Sequence, residues 1–340
     1  EDTGGRNIAI GRSALQVLDA GQDGYNVAIG DDAGVSMTTG TKNIIMGGRA
    51  GVALTTGNYN TAIGHEALST EDTHSANVAI GYQALKTQNA GADAYNTAVG
   101  HAAGVAVTTG IYNTLVGGLA GDALTIGNQN VAVGMLALSA SVDGDNNTAI
   151  GFQALKDYED GDGNGNNTAV GANSQLLAST GEFNTSLGSL AMGSGVTTGD
   201  VNTALGYQAG KALTSGASNV FVGGHAGDAI TTGTENVAIG HQALSTENAH
   251  GKNVAVGHTA LLTLDAGADA FNVAVGNSAG KLMTTGIANT LIGYQAGDSF
   301  TSGSYNTAIG VGALSSEDAH GKNVAVGYQA LVVQNAGSDA

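Results

Sequence analysis

Apolar side chains fall along this chain in short alternating bursts, each opened by asparagine and closed by glycine. The phrase runs Asn, then Val, Ile or Thr, a small residue, an aliphatic residue and Gly, as in NIAIG from Asn7, NVAIG from Asn26, NTAIG from Asn60 and NTALG from Asn202. With Asn as position 1, position 4 is apolar throughout (Ile10, Met46, Val99, Leu187) and position 5 is always Gly. Alternating β-branched residues bounded by glycine predict a short strand, with positions 2 and 4 turned into a core. A further apolar site recurs at position 12 (Met37, Leu54, Val107, Leu124, Leu213, Ile230, Met283, Phe300), commonly followed by Thr-Thr-Gly or a variant. That pattern predicts a second short strand and a second turn.

The phrase occurs nineteen times, 17 residues apart in most steps and 18 to 20 in the rest. Units this short cannot bury a face alone and must stack on their neighbours. The expected fold is therefore all-β, a parallel β-solenoid (β-roll) of about nineteen rungs of 17–20 residues. Parallel rungs ~4.8 Å apart would span roughly 90 Å. Asparagine once per rung suggests a stacked amide ladder built on Asn7, Asn26, Asn43, Asn60, Asn77, Asn96, Asn113 and Asn130. Tolerance of Asn for turn backbone is the alternative reading.

Position 3 alternates away from positions 2 and 4 and is Ala in fourteen units. So small a residue on an outer face suggests close approach of another chain. The expected interchain packing surface comprises Ala28, Ala62, Ala98, Ala132 and Ala274, with Ile45, Leu115, Phe221 and Leu291 where alanine is replaced.

A longer period overlies the short one. Sets of four rungs total 70 residues and run 7–76, 77–146 and 253–322, with a six-rung variant at 147–252 between them. First rungs carry an acidic loop ending in an aromatic, such as NAGADAY from Asn89. Fourth rungs carry near copies of one loop, ALSTEDTHSAN from Ala67 and ALSTENAHGKN from Ala243. Residues 1–340 thus read as one continuous array. Both ends fall inside a rung, so the expectation is a window on a longer repeat.

Composition narrows the function classes. Glycine is 56 of 340 residues while Pro, Cys and Trp are absent, which suits regular tight turns and excludes a disulfide or thiolate framework. A net charge of −18 with ten Lys and Arg disfavours nucleic acid and anionic lipid as partners. No apolar run approaches the ~20 residues of a membrane-spanning helix, so membrane insertion of this segment is not expected.

The phrases NVAIGYQAL from Asn77 and NVAVGYQAL from Asn323 resemble the head repeats of YadA-like trimeric autotransporter adhesins. They are closer still to the NTAIGYQAL arrays of bacterial surface fibres and phage tail-fibre shafts. The resemblance implies a left-handed β-roll, usually trimeric, in an extracellular cell-surface or virion fibre. Its partners would be copies of itself, with a surface glycan as a further ligand for an adhesin or a tail fibre.

Few residues stand apart from the repeat as candidates for chemistry. Asp160, Asp162 and Asn164, alternating with glycine, resemble the first half of a calcium loop, although residue 171 is Gly where a twelfth-position carboxylate is expected. The acidic loops at Asp19/Asp23, Asp93 and Asp265/Asp269 are weaker calcium candidates. His65, His101, His241 and His258 share position 6 with Tyr82, Phe152 and Tyr207, which marks a stacking site. No nucleophile, base and acid are set apart together, so the sequence predicts a structural protein without catalysis or a firm cofactor.

Overall fold

The structure is a computed structural model that describes residues 5–158, 165–299, 301–316 and 321–333. Among these, every regular element is a three-residue strand, and there are nineteen. The chain forms a parallel β-solenoid with no helix among the described residues. It divides into two compact units, Glu1–Ala169 and Val170–Ala340. The first contains β1 (Ile8–Ile10) to β9 (Thr148–Ile150), and the second β11 (Thr185–Leu187) to β19 (Val324–Val326). The boundary falls inside β10 (Thr168–Val170).

Within each unit, strands pair in parallel with equivalent positions opposed. Ile8, Ala9 and Ile10 face Val27, Ala28 and Ile29 in the first unit, and Val220, Phe221 and Val222 face Val237, Ala238 and Ile239 in the second. Position 12 forms no strand: Met37 and Leu54 end a chain of tight turns. The expected second strand is replaced by turns because positions 7 and 9 take left-handed backbone, as at Glu66 (φ 56°) and Leu68 (φ 49°). The residue before each Asn is left-handed too, as at Tyr59 (φ 59°).

Position 5 is glycine for a reason visible between rungs. Gly47 has φ +133°, and a Cβ there would lie 2.5 Å from the carbonyl oxygen of Gly64 in the next rung. No side chain fits between two backbones that close.

The inward face is the opposite of the one the alternation suggested. From the second strand of the first unit onward, and in every strand of the second, the middle residue is buried. Ala28, Ala62, Ala98, Ala132 and Ala274 are wholly inside their own chain, as are Ile45, Leu115, Phe221 and Leu291. The assignment of these nine residues to an interchain face is therefore corrected. Side chains with no exposed surface cannot touch a neighbour, and alanine is small because the lumen is narrow.

Alanine at position 8 (Ala33, Ala67, Ala120) joins position 3 in the lumen, along with Leu or Gly at position 9 and the apolar residue at position 12. Early in the second unit the lumen turns polar. Ser174, Gln175 and Ser186 are buried, and Gln175 Nε2 donates to Ser186 Oγ at 2.9 Å.

Candidate functional site

From Asn26 onward each column asparagine is buried, and those inside the array bond to neighbouring rungs. Asn43 Oδ1 accepts from the backbone N–H of Asn60 at 2.8 Å, and Asn43 Nδ2 donates to the Gly57 carbonyl at 2.9 Å. The same Nδ2 reaches Asn26 Oδ1 at 3.1 Å. The link from one Asn Oδ1 to the next Asn N–H runs from Asn7 through Asn26, Asn43, Asn60, Asn77, Asn96, Asn113 and Asn130 to Asn147. The second unit has its own column from Asn184 to Asn323. The amide thus serves the backbone of its neighbours, and only some rungs add an amide-to-amide bond. Their hydrogen bonds run to the chain's own backbone and amides, rung to rung.

With position 3 inside, positions 2 and 4 form two parallel columns on the outer face, aliphatic at position 4 and Val, Ile or Thr at position 2. Ile44, Leu187, Leu205, Ile239, Ile292 and Ile309 stand out by 38–50% of their surface. Nine rungs at ~4.8 Å make a strip about 40 Å long and 7 Å wide in each unit. That is about 280 Å², just under the ~300–600 Å² of the largest patches on typical monomers.

Aromatic and histidine rings flank the strip. Tyr82 stacks between His65 and His101, with ring centres 5.8 and 5.2 Å away. Tyr95 stacks on Tyr112 just before the asparagines, and His241 on His258 in the second unit. Charged groups pair along the same faces. Glu66 is pushed down to about 2 by hydrogen bonds from Lys86 and Gln83. Lys42 sits over the Tyr59 ring beside a shallow groove lined by Asp23, Tyr25, Thr41 and Asn58.

The calcium candidates Asp160, Asp162 and Asn164 lie outside the described residues. Of the weaker acidic loops, Asp93 Oδ1 accepts from the Ser75 N–H and Asp269 Oδ1 from the Gly251 N–H. Those carboxylates cap the preceding rung. A different feature escaped the sequence reading. Position 12, apolar and buried in most rungs, is glutamate at Glu71 and Glu247, and both are fully buried. Aligning the fourth-rung loops on the asparagine would have placed them there.

No protein-family description matches this sequence, and no curated protein is significantly similar to it.

Proposed function

We propose that this chain is a structural, non-catalytic segment of an extracellular fibre, and that it associates with copies of itself through the outer apolar strip. The observation that carries this reading is the outer face of the strands, where an aliphatic position 4 stands beside Val, Ile or Thr at position 2, half-buried in most rungs of the first unit and exposed at position 4 in many of the second. Burying such a strip is favourable by roughly 25 cal/mol per Å² of apolar surface. A closed symmetric assembly is the economical way to cover the same strip on every copy. The resemblance to trimeric adhesin repeats favours three chains and left-handed winding, and it is also the ground for the extracellular location.

Ile239→Glu combined with Ile292→Glu tests the reading, since both residues project from the strip and neither supports the lumen. The double variant should keep its β circular dichroism and dissociate to single chains in sedimentation. An unchanged assembly would reject the strip as the interface.

The stacked rings of His65, Tyr82 and His101 favour a second reading, in which the fibre is an adhesin or tail-fibre shaft that binds glycan. The exposed edges of that ladder offer the Tyr82 hydroxyl and the imidazole nitrogens to a sugar. Saturable binding to immobilised glycans, abolished by Tyr82→Ala, would support it.

A further inference from the structure

A buried carboxylate in an apolar column needs an explanation. The positions equivalent to Glu71 in neighbouring rungs are Leu54 and Gln88, and those equivalent to Glu247 are Ile230 and Leu264; all are buried. Glu71 Oε1 accepts from the His74 backbone N–H at 3.0 Å, and Glu247 Oε1 from the His250 N–H at 3.1 Å. In both, Oε2 is buried without a well-formed hydrogen bond, although the Ala266 N–H lies near the Glu247 carboxylate, and His250 Nδ1 is equally unsatisfied. Leaving a charged oxygen without a partner in such a place is costly.

Each glutamate stands beside further ligand-bearing groups. Ligand atoms of Glu71, Asp72 and His74 lie within 4.8 Å of one another, and so do those of Glu247, His250 and Asp265. The histidine Nδ1 is 3.1 Å from Glu71 Oε1 in the first cluster and 3.4 Å from Glu247 Oε1 in the second. Two ligands held tetrahedrally on Zn²⁺ by bonds of ~2.1 Å are about 3.4 Å apart. The second pair has that spacing; in the first the contact is a hydrogen bond that an ion would replace with a shift of a few tenths of an ångström.

The sequence keeps this donor set by a compensated exchange. Asp72 is matched by Asn89 in the next rung, whereas Asn248 is matched by Asp265 at the equivalent place. A third copy, Glu317-Asp318-Ala319-His320 with Asn335, repeats the first arrangement and lies outside the described residues. Each copy with the histidine therefore has one aspartate and one asparagine at the two places. A turn cap alone does not require that.

We propose that Glu71–Asp72–His74 and Glu247–His250–Asp265 are two copies of one binding site for a divalent transition-metal ion, with Zn²⁺ as the best fit. Two carboxylates and one imidazole suit Zn²⁺, which accepts three protein ligands and a water. Calcium and magnesium prefer all-oxygen shells of six or more ligands. The bound ion draws on the buried glutamate carboxylate and the histidine Nδ1 and ties the fourth-rung turn down. In the second copy it also links that turn to the following rung.

The test is calorimetric titration of Zn²⁺ into the full chain, stripped with chelator and kept in excess Ca²⁺ and Mg²⁺. His74→Asn and His250→Asn should each remove one equivalent of tight binding, and the double variant two. Asp265→Asn should remove the second site, and Asn248→Asp in that background should restore it by recreating the first arrangement. Zn²⁺ should raise the unfolding temperature of the wild type, and less so that of the double variant. Glu71→Gln with Glu247→Gln, which keeps an acceptor for the turn, covers the case in which the histidine variants fold poorly; it should weaken Zn²⁺ at least ~10-fold, about 1.4 kcal/mol. No Zn²⁺ uptake by the folded wild type would overturn the proposal. So would equal stoichiometry and affinity in folded variants.

Discussion

Leu115 occupies the volume that a side chain on Gly104 would need: a Cβ at Gly104 would lie 2.6 Å from Leu115 Cδ1. Gly121, in the same rung as Leu115, is equally hemmed in, at 2.9 Å from Cδ2. Phe221 stands in the same relation to Gly210, and Leu291 to Gly280, at 2.6 and 2.8 Å. Rungs with alanine at position 3 can instead carry leucine at position 9, as Ala79 with Leu85 and Ala132 with Leu138. The lumen is filled by trading volume between positions 3 and 9.

That trade predicts a coupled pair. Leu115→Ala should destabilise by about 2–5 kcal/mol through the cavity it leaves. Gly121→Leu alone should destabilise through overpacking and its left-handed backbone (φ +57°). Combined, the two should cost less than the sum of the single variants, and urea unfolding of the four proteins measures the coupling. Simple additivity would count against the trade.

The asparagine column predicts a large loss from a small change. Asn113 Oδ1 accepts from the Asn130 N–H at 3.0 Å, and Asn113 Nδ2 donates to the Gly127 carbonyl at 2.9 Å, all buried. Asn113→Leu should strand both backbone groups, at about 1–3 kcal/mol each. Hydrogen exchange should show the Asn130 amide losing protection first.

Left-handed backbone at non-glycine residues predicts a gain. Ala76 (φ 63°) and Ala288 (φ 55°) sit immediately before an asparagine in a conformation that disfavours any Cβ. Ala76→Gly and Ala288→Gly should each stabilise by roughly 0.5–1 kcal/mol, after the added freedom of the unfolded chain is subtracted. Thermal unfolding should show both midpoints rising.

Glu247 predicts a pH dependence for the metal-free protein. Burial raises its carboxyl above the ordinary range, opposed by the His250 and Ala266 N–H groups and by the His250 charge, and assisted by Asp265. A raised folded value means that its contribution to stability is fully present below the unfolded pKa and lost as pH rises through the folded one. With chelator present, Glu247→Gln should therefore stabilise the chain at neutral pH, and the difference should vanish in acid. Chemical denaturation of both proteins across that range gives the comparison.

The strands, their spacing and their parallel stacking were legible because NxAxG returns at nearly constant intervals and glycine at position 5 admits no substitute. Which face points inward was not legible. Positions 2, 3 and 4 are apolar in many rungs, and Thr at position 2 suits either face, so period-two alternation leaves two mirror assignments, as Val27, Ala28 and Ile29 illustrate. The choice is made by the width of the lumen, which the left-handed residues at positions 7 and 9 set. Hydropathy carries no sign of backbone at Leu68 or Glu66 turning left-handed. Glu71 and Glu247 were hidden differently, since a charged residue followed by Asp or Asn reads as a solvated loop until it is aligned with Met37 and Leu54.

The central claim is that the outer strip holds copies of this chain together. Light scattering coupled to size separation, on the chain at micromolar concentration, tests it most directly. The account predicts a molar mass of a small integer multiple of the chain, with three the expected value, that persists on dilution and falls to one in the Ile239→Glu, Ile292→Glu variant. A wild-type chain that is a single, well-folded copy at every concentration would contradict it.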